Sequence, residues 1–133
     1  MSETLLPPGW PTPRGYAHGM VERGRVVAVA GQIGWNPLTS EFESDDFVEQ
    51  TRQALRNIVA VLKAGQAEPT HVVRLTWYIT DRDLYLAKLA ELGRAYRAEF
   101  GQHYPAMSIV VVAGLLERRA KVEIEATAVV PGR

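Results

Sequence analysis

Two stretches of the chain are apolar at nearly every position, Val26 to Ala30 and Ser108 to Ala113. Short unbroken apolar runs of this kind predict strands that withdraw both faces from water. A third stretch alternates instead: Val122, Ile124 and Ala126 point one way, Lys121, Glu123 and Glu125 the other. With a short polar connection before it, this strand is expected to lie beside the Ser108–Ala113 strand in the segment His103–Ala126, around which the rest is organised. Glu123 and Glu125 share one strand face, and a covered carboxylate needs a partner or a job.

The remaining pattern is a mixture of strands and helices. Tyr16 to Glu22 and Arg25 to Ile33 read as a hairpin turning at Arg23-Gly24. Gly31, at the end of an apolar run, marks a close approach of backbone or ligand. After the loop Gly34-Trp35-Asn36-Pro37, Asp46 opens a helix with Glu49 completing a capping box. Its apolar stripe is Phe47, Thr51, Ala54, Leu55, Ile58, Val61 and Leu62, and Gly65 closes it. Pro69 precedes a strand from Val72 to Thr80. Asp81 or Asp83 then caps a second helix with the stripe Tyr85, Leu89, Leu92, Tyr96 and Phe100, ended by Gly101. The order β-β-α-β-α-β-β predicts an α+β fold, a sheet with two helices on one face.

Two helices cover one side of such a sheet, yet two strands are apolar on both. The uncovered face is therefore expected to pack against other copies of the chain. At 133 residues the chain suits one domain, burying roughly 68% of its unfolded surface. Residues 1–14 are an extended lead-in, holding four of the eight prolines, with Trp10 as its anchor to the body; 15–133 form the domain. Fifteen basic and fifteen acidic residues leave no net charge, so nucleic acid is not the expected partner. With no cysteine, disulfides, thiol nucleophiles and thiolate metal sites are excluded. The first ten residues hold no basic region or long apolar run, so neither signal peptide nor membrane span is expected, and the default is a cytoplasmic protein.

Several short motifs in fixed order carry a resemblance: Gly15-Tyr16 with Gly19, Ala30-Gly31-Gln32-Ile33, Asn36-Pro37, Gln53-Ala54-Leu55-x-Asn57, Pro105-Ala106-x-Ser108 and Val122-Glu123-Ile124-Glu125-Ala126. From about Gly15 to Val130 the chain resembles the RidA family, also called YjgF or L-PSP. The resemblance implies a chorismate-mutase-like fold, a homotrimer and three pockets between subunits. It further implies hydrolysis of 2-imino and enamine acids to 2-keto acids and ammonia without cofactor or metal. By position it puts Tyr16, Gly31 and Glu123 in the pocket. The archetype reads Pro-Ala-Arg-Ser, its arginine gripping the substrate carboxylate; here Met107 stands in that place. A thioether cannot make a bidentate clamp. Ala30 and Ile109 also replace small polar residues, so the pocket is more apolar than the archetype's.

Each candidate has a plain structural alternative. Glu123 could activate a water for attack on a C=N carbon, or could pair with Lys121 or a neighbouring subunit's arginine. Tyr16 could orient ligand or simply pack at an interface; Met107 could line the pocket or fill a core gap. Trp35 could wall the pocket or pack beneath its loop, and Trp77, alternating with Leu75 and Ile79, reads as core. His18, His71 and His103 lack metal-ligand spacing, so no metal is expected; His18 and His103 flank the motifs and could reach a pocket. Arg14, Arg118 and Arg119 are the candidates to replace the missing clamp, or a solvated rim. Three functions follow from these residues: an imine or enamine hydrolase whose substrate does not need the arginine, a non-catalytic metabolite-binding trimer, or an RNA-cleaving relative, which the neutral charge disfavours.

Overall fold

The computed structural model describes residues 2–132. Its elements are β1 Glu3–Leu5, β2 Gly19–Val21, β3 Gly24–Ile33, α1 Phe47–Ala64, β4 Val72–Ile79, α2 Arg82–Ala87, α3 Leu89–Phe100, β5 Ala106–Val111 and β6 Val122–Pro131, with a 3-10 turn at Pro69–His71. The main sheet has the order β3-β6-β4-β5; β4 and β5 are parallel, the other neighbours antiparallel. A parallel pair needs a crossover, and α2 and α3 supply it. Among the described residues no helix is long and apolar enough to cross a membrane.

α1 forms as its sequence directs. The Asp46 carboxylate accepts the Glu49 N–H at 3.0 Å, and the Gly65 N–H donates back to the Leu62 carbonyl at 2.9 Å. Phe47, Thr51, Ala54, Leu55, Ile58 and Leu62 are buried, whereas Val61, at the margin of the stripe, stays 39% exposed. They meet Val29, Leu75, Trp77, Ile79, Val122, Ile124 and Ala126 in one core. The alternation of β6 is as expected: Val122, Ile124, Ala126 and Ala128 are buried, while Glu123, Glu125 and Thr127 between them are half-buried.

Three expectations are corrected. The Tyr16–Glu22 and Arg25–Ile33 hairpin does not form: β2 pairs with β1, Thr4 opposite Met20, in a separate two-stranded sheet. β3 pairs with β6 instead, and that long register aligns Val27 with Ala128 and Val29 with Ala126 over the core, burial that a three-residue β2 cannot match. The strands on either side of the polar connection are not neighbours, because β4 lies between β5 and β6. The second helix is broken. Asp81 caps α2 through the Leu84 N–H, and Lys88 leaves helical geometry (φ −116°, ψ 20°) before α3 begins. No glycine or proline marks that break. The lead-in contributes the strand β1, and Trp10 meets the His18 ring edge-on at 5.0 Å while remaining 53% exposed.

Candidate functional site

The register of β3 against β6 slips between Val29 and Gln32, placing an irregularity at Ala30-Gly31. Beyond it Ile33 stands opposite Glu123. The Glu123 side chain fills the space where a Cβ on Gly31 would lie: such an atom would come within 2.7 Å of the carboxyl carbon and closer still to Oε2. A Cβ at this position would displace the carboxylate, so the close approach at Gly31 is made by a side chain and not by the backbone or ligand expected there. Glu123 is half-buried, and the ion pairs among the described residues are Arg52–Glu49, Arg56–Glu99, Lys88–Glu91 and Arg119–Asp45. Within the chain, Glu123 is thus not paired with Lys121. Ala30 is exposed beside it.

A buried polar frame holds this corner. Asn57, on α1, donates through Nδ2 to the Ile33 carbonyl at 3.1 Å and the Trp35 carbonyl at 3.0 Å, and accepts from Gln53 at 2.8 Å. Gln50, fully buried, donates to the Ser44 and Arg119 carbonyls and accepts the Lys121 N–H at 2.8 Å. Every hydrogen-bonding edge of the Gln50 amide that can reach across is used, so α1 ties both loops beside β6. This explains physically why Gln53 and Asn57 belong to the motif. Gln50 was not among the residues singled out from sequence; a glutamine among stripe residues at helical spacing was its only signal.

The other candidates lie elsewhere. Met107 pairs with Leu75 and Ile109 with Trp77, on the helix-facing side of the edge strand β5. Tyr16, 39% exposed, meets His18 edge-on at 5.3 Å. The adjacent Ala17 N–H donates to the Pro105 carbonyl at 3.0 Å, which holds the lead-in against the β5 edge. With β4 between β5 and β6, the backbones of Met107 and Glu123 are separated by at least two strand spacings, roughly 10 Å. Their side chains also leave opposite faces. One chain therefore places the candidates in two groups, Ala30, Gly31 and Glu123 near one edge of the sheet and Tyr16, Met107 and Ile109 at the other.

Trp35 joins neither half. Its ring lies 5.9 Å from Phe42, in a groove of about 480 Å³ shared with Leu116, Arg118 and Arg119, and the Arg119 guanidinium sits over Phe42 at 5.4 Å. Arg119 also pairs with Asp45 at 3.0 Å. His103 bonds the Val72 carbonyl at 2.7 Å, and the His71 Nδ1 accepts the Glu68 N–H, so both serve the backbone. Tyr96 donates its hydroxyl to the His103 carbonyl; burial, with Tyr104 stacked at 5.5 Å, pushes its phenol well above the ordinary range. Among the described residues no three histidine, aspartate or glutamate side chains gather as a metal site.

A two-layer α+β fold whose glycine-held carboxylate lies on a half-open sheet defines a class of small proteins, and the family model described as Endoribonuclease L-PSP matches residues 11–130 of this chain. The chain belongs to that family, the one also called RidA or YjgF. It is 35% identical to the 2-iminobutanoate/2-iminopropanoate deaminase of Escherichia coli, over 97% of this chain and 98% of that one. It is 32% identical to the RutC family protein PH0854 of Pyrococcus horikoshii, over 96% and 98%. The crystal structure of the Rid family protein YyfB from Yersinia pestis superposes with a TM-score of 0.84 at 31% identity, covering 97% of this chain and 98% of that one.

Proposed function

We propose that this protein hydrolyses a reactive imine or enamine to a carbonyl compound and ammonia, at pockets between the subunits of a homotrimer, and that its substrate is not the archetypal small 2-imino acid. The observation that carries this reading is the Glu123 carboxylate, held against Gly31 with no ion pair among the described residues. A pocket that only binds by shape has no use for such a group; a general base does. Glu123 takes a proton from water as the oxygen adds to the C=N carbon. It passes that proton to the nitrogen, giving a carbinolamine, and then carries the carbinolamine's hydroxyl proton to the same nitrogen, which leaves as ammonia while the carbonyl forms. The balance is imine plus water to carbonyl plus ammonia.

The trimer is supported by what one chain leaves uncovered. Val26 is 64% exposed, Val110 40% and Val111 46%, on strands apolar at both faces. The half-site of one subunit's β5 edge completes the Glu123 half of another only if copies meet. Native mass spectrometry at micromolar concentration is expected to show mainly trimer; mainly monomer would refute the assembly. Two carboxylates on the open face, Glu123 and Glu125, repel a polyanion and favour a small molecule over RNA.

Met107 supplies the test of substrate choice. Wild type is expected to add little to the spontaneous hydrolysis of 2-aminoacrylate-type imines, generated in place by an amino-acid oxidase and followed by ammonia release. Losing one charge-assisted bond, about 1.5–3 kcal/mol, weakens binding about 10- to 100-fold. Met107→Arg should recover about tenfold. Full recovery is not expected, because Ala30 and Ile109 remain and Arg97 lines the same cavity as Met107, where two cations repel. Strong acceleration by wild type would show that another residue already holds the small carboxylate.

A further inference from the structure

A cavity of about 320 Å³ opens between β5 and the α2–α3 pair, with Trp77, Tyr85, Gly93, Arg97, Tyr104 and Met107 among its walls. Three observations single this cavity out. The Trp77 indole N–H is buried and has no hydrogen-bond partner, the one side-chain polar atom so left among the described residues. A buried donor normally has a partner, and leaving one out is costly. Arg97, exposed at the rim, takes part in none of the ion pairs or side-chain hydrogen bonds of the described residues: the nearby helix acids Glu91 and Glu99 are engaged by Lys88 and Arg56.

The third observation is Gly93. Glycine weakens a helix interior, yet it stands inside α3, one turn before Arg97. A Cβ at this position would lie 3.1 Å from the Arg97 Nη1. The missing side chain therefore lets the guanidinium lie across the helix toward the cavity, and alanine would press on it. Around this cation the walls are aromatic: Tyr96 and Tyr104 stack at 5.5 Å with planes 17° apart, and Tyr85 closes the α2 side.

We propose that this cavity binds an aryl-substituted 2-imino acid or the 2-keto acid formed from it, with the carboxylate on Arg97 and the ring among Tyr85, Tyr104 and Met107. It rests on the reading of Met107 as part of the inter-subunit pocket. Arg97 then replaces, from a helix, the cation that the archetype carries on the strand. The exchange of arginine for Met107 is what makes room for the ring: a thioether packs flexibly against an aromatic face where a guanidinium would hold water.

Calorimetric titration with stable 2-keto acids tests this without turnover. Phenylpyruvate should bind at least about tenfold tighter than pyruvate, because only the former fills the aromatic walls. Arg97→Ala should weaken phenylpyruvate about 10- to 100-fold and leave phenylacetone, a neutral ketone of similar shape, unchanged. Arg97→Lys should keep part of the affinity. Equal affinity for phenylpyruvate and pyruvate, no binding of phenylpyruvate, or indifference to Arg97→Ala would overturn the inference. The outcomes also separate it from the proposed reaction. Imine hydrolysis that depends on Glu123 but not on Arg97 removes this inference alone; tight, Arg97-dependent phenylpyruvate binding without any hydrolysis removes the reaction alone.

Discussion

Glu123→Gln is expected to lower catalysed imine hydrolysis by about 10²–10⁴-fold, the usual contribution of a positioned general base. The amide keeps the size of the side chain and its place against Gly31, but it cannot take a proton from water. The expectation rests on the half-buried carboxylate that makes no ion pair among the described residues. Gly31→Ala is the companion experiment. Its Cβ would come within 2.7 Å of the Glu123 carboxyl carbon, so the carboxylate must swing away while the backbone stays. Activity should fall as far as in Glu123→Gln with little change in Tm, because only the end of a flexible side chain has to move. The readout is ammonia release from an aromatic imine beside a thermal melt. Undiminished activity in Glu123→Gln would remove this residue from the chemistry.

Gly34→Ala should instead be among the most damaging single substitutions for stability. A Cβ there would lie 2.5 Å from both the Cβ and the carbonyl oxygen of Gln50, atoms fixed in the first turns of α1. None of the atoms nearest to it is a free side-chain end, so the helix or the β3–α1 loop must shift. That movement also strains the Gln50 bonds to Ser44, Arg119 and Lys121. Overpacking against backbone, with a buried polar frame disturbed, should cost about 3 kcal/mol or more. For a domain of this size that is a fall in Tm on the order of 10 °C. A melt within a degree or two of wild type would show that the corner is softer than its contacts imply.

The difference between these two glycines was not legible in the sequence. Gly31 was marked by its place at the end of an apolar run, but what approaches it, the carboxylate of Glu123, depends on a register slip between β3 and β6. Gly34 reads as an ordinary loop residue until α1 is packed over it. Gly93 carried a weak signal, a glycine inside a helical stripe, and Arg97 one turn later looks like any solvated helix arginine until both face the same cavity. The break at Lys88 had no local mark, because packing rather than a helix-breaking residue sets it.

Local periodicity and capping chemistry were enough to place α1 with its Asp46 cap, the alternation of β6 and the doubly apolar character of β3 and β5. These are properties of neighbouring residues, determined over a few positions whatever the rest of the chain does. The order of motifs was likewise enough to identify the family and to single out Glu123. Which strands pair was decided only by the tertiary structure, since pairing is a competition among distant segments for buried area. β3 took β6 in place of β2, and β4 came between β5 and β6. That insertion sent Met107 to the helix side beside Arg97 and left Glu123 on the open face. Glu123 and Met107 are thus held apart and aimed to opposite sides of the sheet, because strand spacing and side-chain alternation fix both their separation and their direction.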